Sequence, residues 1–261
     1  MRTIVAFFAA AALTAAFPPA GSADFNAPCR LVDAPTAGSP APGGFILESH
    51  LQDGGGLVQR ALVGISRFAA VGVSYGGSGF IGSEPVAWQP HVGVQARVRI
   101  VEESMSSPAL SLGFDSQGAG TFLRGEGLNR YRSKSKGVYL AVSRNYRFFG
   151  NLGMHGGANW SPETSDGDSD PSFWAGFDKD IGPGIGLCGE YDFATNDNVT
   201  GRMTANHGLL NGAVRWRFGG SFTIEFDLRN ILRAERREPG GAVADKPQPS
   251  RELRFSYSGA F

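Results

Sequence analysis

The chain has 261 residues, with 24 basic and 24 acidic side chains, 41% hydrophobic residues and 38 glycines. That balance lacks the basic stripe of a nucleic-acid binder, and beyond the N-terminus no run of about 20 apolar residues offers a helical membrane span. It leaves open a membrane-spanning barrel, in which every second strand residue faces a polar lumen.

Residues 1–23 read as an export signal: Arg2 supplies the positive end, Ile4 to Ala16 the apolar core, and Gly21-Ser22-Ala23 the small residues of a cleavage site. The mature chain is expected to start near Asp24. Residues 24–43, rich in Pro, Ala and Gly, read as an extended periplasmic N-terminal segment or a plug. Export permits a Cys29–Cys188 bridge, although two unpaired thiols are the expectation. Asn26-Ala27-Pro28 ahead of Cys29 lacks a lipidation pattern.

Residues 44–261 alternate between apolar and polar positions in segments separated by turn residues. About twelve strands are expected, near residues 45–52, 57–66, 70–77, 91–101, 109–117, 137–145, 152–160, 172–179, 185–193, 208–218, 222–230 and 252–261. Val92 to Ile100 places five apolar residues on one face and Gly93, Gln95, Arg97 and Arg99 on the other. Phe222 to Arg229 repeats the pattern with Glu225, Asp227 and Arg229. Alternation alone also fits a soluble sandwich, so the connections decide. From the strand near 57–66 onward they alternate between tight turns and longer polar loops, as in outer-membrane barrels. An even strand count puts both ends of the barrel on the short-turn, periplasmic side.

Two hairpin registers are expected. One, centred on Gly220, sets Phe218 opposite Phe222 and Arg215 opposite Glu225. The other, centred on Phe68, sets Ile65 opposite Val71 and Val63 opposite Val73. In the last segment Leu253, Phe255, Tyr257 and Phe261 share one face, and Arg254, Ser256 and Ser258 the other. A final Phe after such a strand resembles the closing strand of outer-membrane barrels, which implies an insertion signal in Phe255, Tyr257 and Phe261.

Arg97, Arg99, Arg215, Arg217, Glu190, Asp192, Glu225 and Asp227 are the lumen and selectivity candidates. The four arginines lie toward the periplasmic end, where a basic constriction would suit anionic solutes. The competing reading is a mutually neutralised interior that stabilises a narrow, filled barrel. Asp166, Asp168 and Asp170 have the spacing of a calcium loop, but Pro171 and Phe177 replace its Gly and closing Glu, which leaves a weak calcium candidate. His50, His91, His155 and His207 show no metal spacing and no serine motif. No enzymatic activity and no cofactor are expected.

Pro35-Thr36-Ala37, Val98 to Glu103, Pro108 to Gly118 and Tyr131 to Ser143 resemble blocks of the YjbH-like outer-membrane proteins associated with exopolysaccharide operons. The likeness covers residues 35 to 160 of a chain shorter than the larger family members. It implies an outer-membrane β-barrel with a role in secreting or anchoring polysaccharide, and it carries over no catalytic residues. The expected protein is an all-β, antiparallel transmembrane β-barrel of the Gram-negative outer membrane, porin-like or with a filled, non-conducting lumen. Its expected partners are outer-membrane lipid, the barrel insertion machinery and polysaccharide or its export components, and no nucleic acid.

Overall fold

The computed structural model describes residues 28–125, 127–198, 208–233 and 249–261. The export signal expected over residues 1–23 lies outside them. Fifteen strands follow in chain order: β1 (Gly44–Gln52), β2 (Gly56–Gly64), β3 (Ala69–Ser78), β4 (Ala87–Trp88), β5 (Gly93–Val101), β6 (Ala109–Asp115), β7 (Ala119–Gly125), β8 (Leu128–Ser133), β9 (Gly137–Arg147), β10 (Asn151–Trp160), β11 (Ser172–Gly182), β12 (Ile185–Asp192), β13 (Leu209–Phe218), β14 (Phe222–Arg229) and β15 (Ser250–Ala260).

Twelve of these are staves of one closed antiparallel barrel, in the order β2-β1-β15-β14-β13-β12-β11-β10-β9-β6-β5-β3, which pairing of β3 with β2 closes. Each expected strand corresponds to one stave. The short β4 pairs with the outer end of β3, and β7 and β8 form a separate hairpin within a long loop. All three fall in segments whose polar, turn-rich sequence reads as loop.

The barrel is inside-out relative to a soluble protein. Val73, Val94, Val98, Leu112, Leu140, Phe177, Val214, Trp216 and Phe226 point outward and are exposed. Glu48, His50, Arg97, Glu190, Glu225, Asp227, Glu252 and Arg254 point inward and are buried. A continuous apolar belt around a closed sheet has no place in water. In a bilayer it is the lipid face, and closure leaves no unpaired strand edge in hydrocarbon. The staves, 7 to 11 residues long, suit tilted strands that cross such a layer. The chain is a multi-pass β-barrel of the Gram-negative outer membrane.

The Gly220 hairpin has the expected register: Phe218 lies opposite Phe222 and Arg215 opposite Glu225. The other hairpin differs by two residues, because Val63 lies opposite Val71. Its turn is tighter than a centre on Phe68 allows. The Ile65 N–H donates to the Ala69 carbonyl at 2.9 Å, and Ser66 Oγ accepts from the N–H groups of Phe68 and Ala69. A shift of two preserves the faces, so the inward and outward sets are unchanged.

The barrel closes where the ends of the sheet meet. β1 pairs with β15 from Gly44–Ala260 to Leu51–Leu253. The Phe45 ring lies 5.0 Å from that of Phe261 and 6.0 Å from that of Tyr257. Phe45 also covers Gly259, whose absent Cβ would lie 2.7 Å from Phe45 Cζ. Phe255 stacks on Phe222 at 6.4 Å. These rings form part of the short-turn rim, where amphipathic and aromatic side chains suit the membrane interface.

Candidate functional site: the lumen and the hairpin within it

Residues 28–43 run inside the barrel as a narrow hairpin. Pro28 stands at the short-turn mouth, where it lines a cavity of about 60 Å³ with Asp178, Lys179, Arg215 and Arg217 among others. The segment climbs to a turn at Leu31–Ala34, closed by a 2.8 Å bond from the Leu31 N–H to the Ala34 carbonyl. A bridge between Arg30 and Pro35 ties the two limbs. It then descends to the same rim and enters β1, with the Gly43 N–H on the Gly64 carbonyl at 2.9 Å. A Cβ on Gly64 would stand 2.2 Å from the Ala41 carbonyl oxygen, so glycine is what lets the descending limb pass the wall.

The tip is held by wall charges that reach its backbone. Glu190 Oε2 accepts from the N–H groups of Asp33 and Ala34 at 2.9 and 2.8 Å, and Asn211 donates to Oε1 at 2.8 Å. Paired turn N–H groups form a concave site for an anion, here filled by a carboxylate of the wall. Arg254 donates to the Val32 carbonyl at 3.0 Å, and Arg215 to the Leu31 carbonyl at 2.5 Å. Arg229 pairs with Asp33. Arg30 reaches out from the hairpin to Glu48 at 2.5 Å and Glu225 at 3.1 Å. Glu225 therefore accepts from three arginines: Arg30, Arg215 and Arg254.

Apolar contact is modest by comparison. Leu31 and Val32 pack with Cys188 and Ala213, and Ala34 with Tyr139, Ala141 and Trp174. Leu31, Val32, Ala34 and Thr36 have no exposure, so the hairpin fills the middle of the lumen. Charges placed out of water are retained when they are paired and hydrogen-bonded, and these are.

Three lumen residues make a hydrogen-bonded chain; period-2 alternation places His155 and Asp178 on the inward face, and only the strand pairing brings them together with Ser143. His155 Nε2 lies 2.6 Å from Asp178 Oδ1, and Nδ1 lies 2.7 Å from Ser143 Oγ. Ser143 Oγ accepts from the Ala37 N–H at 2.9 Å. A proton on Nε2 satisfies every group, with Ser143 donating to Nδ1. The chain thus carries the hold on the descending limb back to an acidic wall residue. Its members come from β9, β10 and β11, and no local motif marks them.

The lumen candidates take distinct places. Arg97 donates to the carbonyls of Cys29 and Gly38, and Arg215, Glu190 and Glu225 hold the tip as described. Arg99 and Arg217 lie half-buried closer to the short-turn mouth. Asp192, near the opposite mouth, pairs with Lys136. Asp227 lies fully buried beside His50 and Arg254. The four arginines thus do not stand as an open basic ring: Arg97 and Arg215 are spent on the hairpin. Cys29 and Cys188 are both free thiols. Glu103, at a short turn, accepts from the Asn145 N–H and Nδ2 at 2.7 and 2.6 Å.

At the long-loop mouth Arg130, on β8, is fully buried. It pairs with Asp166 and, at 2.6 Å, with Asp197, and it donates to the carbonyls of Tyr131 and Arg132. Lys134 adds a second cation to Asp166 at 2.8 Å. Burial alone would raise the Asp166 carboxyl, but the hydrogen bonds from Lys134 and the Asp168 N–H, with the Arg130 charge, hold it below the usual range. Asp168 accepts from the N–H groups of Asp170 and Asn198. Asp166 and Asp168 are therefore committed to side chains and backbone of this protein. Among the described residues, Asp166, Asp168 and Asp170 do not converge on a metal-sized site. Nearby, burial pushes the Glu163 carboxyl up to about 7, although it accepts from the Tyr131 N–H at 3.1 Å.

No protein-family model and no curated protein sequence matches this chain. Among solved structures it is similar to the KdgM porin, at 11% identity and a TM-score of 0.47, over 84% of this chain and 99% of that one. It is also similar to the NanC porin, at 9% identity and 0.42, over 83% and 99%. An outer-membrane channel from Pseudomonas putida F1 gives 14% identity and 0.45, over 93% and 100%.

Proposed function

We propose that the protein is a porin-like channel held closed by its own N-terminal hairpin. The observation that carries this reading is the chemistry of the contact. The wall behind the hairpin is polar and ionised on nearly every stave, as a water-filled passage requires, while the hairpin adds only a few apolar side chains. Its hold consists chiefly of hydrogen bonds and ion pairs, which water and solute could replace one by one. Once it leaves, Arg97 and Arg215 lose their carbonyl partners and join Arg99 and Arg217 in a basic passage suited to anionic solutes.

The resemblance of residues 35–160 to YjbH-like proteins supports a place beside exopolysaccharide export, with an acidic polysaccharide or a component of its export route as partner. The part-buried ion pairs of Arg30 and Asp33 with the wall favour a second reading, a structural barrel with a permanently filled lumen. Single-channel recording in planar bilayers separates the two. A channel gives little current intact and steady, anion-preferring current after deletion of residues 24–41, with heat-modifiable gel mobility verifying the folded barrel. Current from the folded deletion variant with none at any time from the intact protein would establish the filled barrel instead, and silence of both would rule out a pore.

A further inference from the structure

His50 on β1, Asp227 on β14 and Glu252 on β15 face one another across three neighbouring staves, all buried. His50 Nε2 lies 2.7 Å from Glu252 Oε2 and 3.7 Å from Asp227 Oδ2. One ligand atom from each residue falls within 4.8 Å of the other two. An imidazole nitrogen with two carboxylate oxygens is a donor set for a divalent transition ion, zinc above all.

The independent observation is what this arrangement leaves unsatisfied. Asp227 has no exposure, and its oxygens accept from no wall donor; the side chain that stands against it is a second carboxyl group, Glu225. A buried carboxylate in that condition is costly. Arg254 Nη2 stands 3.3 Å from it, but that guanidinium is directed to the His50 ring at 3.2 Å, Glu225 and the Val32 carbonyl. Arg254 Nε is itself buried without a partner, 3.5 Å from Glu48 Oε1.

We propose that His50, Asp227 and Glu252 bind a zinc-class divalent cation that staples the first stave to the last two. The ion takes His50 Nε2, Asp227 and Glu252 Oε2, and the direct His50–Glu252 hydrogen bond opens. Arg229 keeps Glu252 Oε1, at 3.2 Å, and so orients the ligand from outside. Arg254 turns from the imidazole toward Glu48, which satisfies its Nε and removes the cation nearest the ion. Both orphaned groups gain partners in one rearrangement.

The test uses the full chain folded into detergent micelles after chelator treatment, with zinc chloride added before folding in one arm and after it in another. Zinc content after gel filtration and the temperature of the heat-modifiable gel shift are read. The wild type is expected to retain one zinc per chain and to resist unfolding to higher temperature in at least one arm. His50→Gln and Asp227→Asn are expected to weaken zinc binding on the order of tenfold or more while still folding. Asp227→Asn is expected to unfold no earlier than the wild type without metal, since it removes a buried carboxyl group that has no hydrogen-bond donor. Absence of zinc from the wild type in both arms, or retention undiminished in both variants, would overturn the proposal.

Discussion

Arg97 Nη1 donates to the Gly38 carbonyl at 2.7 Å and to the Cys29 carbonyl at 2.9 Å, so one wall guanidinium ties together both limbs of the lumenal hairpin. Hydrogen bonds from a charged donor contribute about 1.5–3 kcal/mol each. Arg97→Ala is therefore expected to raise the open fraction on the order of tenfold or more, at 1.4 kcal/mol per decade. Single-channel recording checks this, and closed-state occupancy equal to the wild type would contradict it.

Gly64 predicts a steric effect at the place where the hairpin leaves the lumen. The Cβ of Gly64→Ala would meet the Ala41 and Pro40 carbonyl oxygens at 2.2 and 2.8 Å, and both belong to the backbone. The descending limb must shift or the barrel must distort, at a cost of about 1–3 kcal/mol. A lower temperature for the heat-modifiable gel shift, with increased proteolysis near residue 40, is the expected outcome.

Arg130 is the keystone of the long-loop mouth. Arg130→Ala leaves Asp166 and Asp197 without their shared cation and is expected to loosen the loops by about 3–5 kcal/mol, the usual effect of breaking a buried pair. Lys cannot restore it, because a single ammonium does not span two carboxylates and two carbonyls. Protease cleavage within 119–135 or 161–171 on intact cells should rise, while the gel shift of the barrel stays close to that of the wild type.

Glu163 gives the same loops a pH dependence. Its folded carboxyl is raised from an ordinary 4.5 to about 7, so the native loops bind more protons than the unfolded chain between those values. Loop stability is expected to fall as pH rises through that window and to level off above it. Glu163→Gln should flatten the profile and retain the acceptor for the Tyr131 N–H. Asp166 acts oppositely: its depressed carboxyl favours the folded loops above the ordinary value of 3.8, and that contribution is lost in stronger acid. Loop amide exchange across pH 4 to 8 measures the Glu163 effect, and a flat wild-type profile would contradict it.

Phe261 tests the closing rim. Its N–H reaches the Gly43 carbonyl at 3.0 Å and its ring lies against Phe45, so it joins the last stave to the first. Phe261→Ala is expected to slow assembly into the outer membrane more than it weakens the finished barrel, because the ring is 92% exposed once folded. Pulse-chase appearance of the heat-modifiable form reads the difference.

The amino-acid sequence alone determined the barrel: the period-2 pattern placed the strands and the two faces, and the alternation of short and long connections separated a barrel from a sandwich. Strand geometry sends successive side chains to opposite sides wherever the partner lies, so Arg97, Glu190, Glu225 and Asp227 were legible as lumenal before any contact was known. Register was legible at Gly220 but slipped by two at Ser66, where a side-chain oxygen set the turn. The β7–β8 hairpin lay hidden because its turn chemistry sits inside a long polar loop.

Only the tertiary structure decided what the lumenal charges do. Ser143, His155 and Asp178, or His50, Asp227 and Glu252, lie far apart along the chain and meet through strand pairing. That Arg97 and Arg215 face backbone carbonyls depends on residues 28–43 folding back into the barrel. Composition could suggest such a segment but could not direct it, because a Pro- and Gly-rich stretch carries no periodic face. Its path is set by the shape and charge of the wall around it.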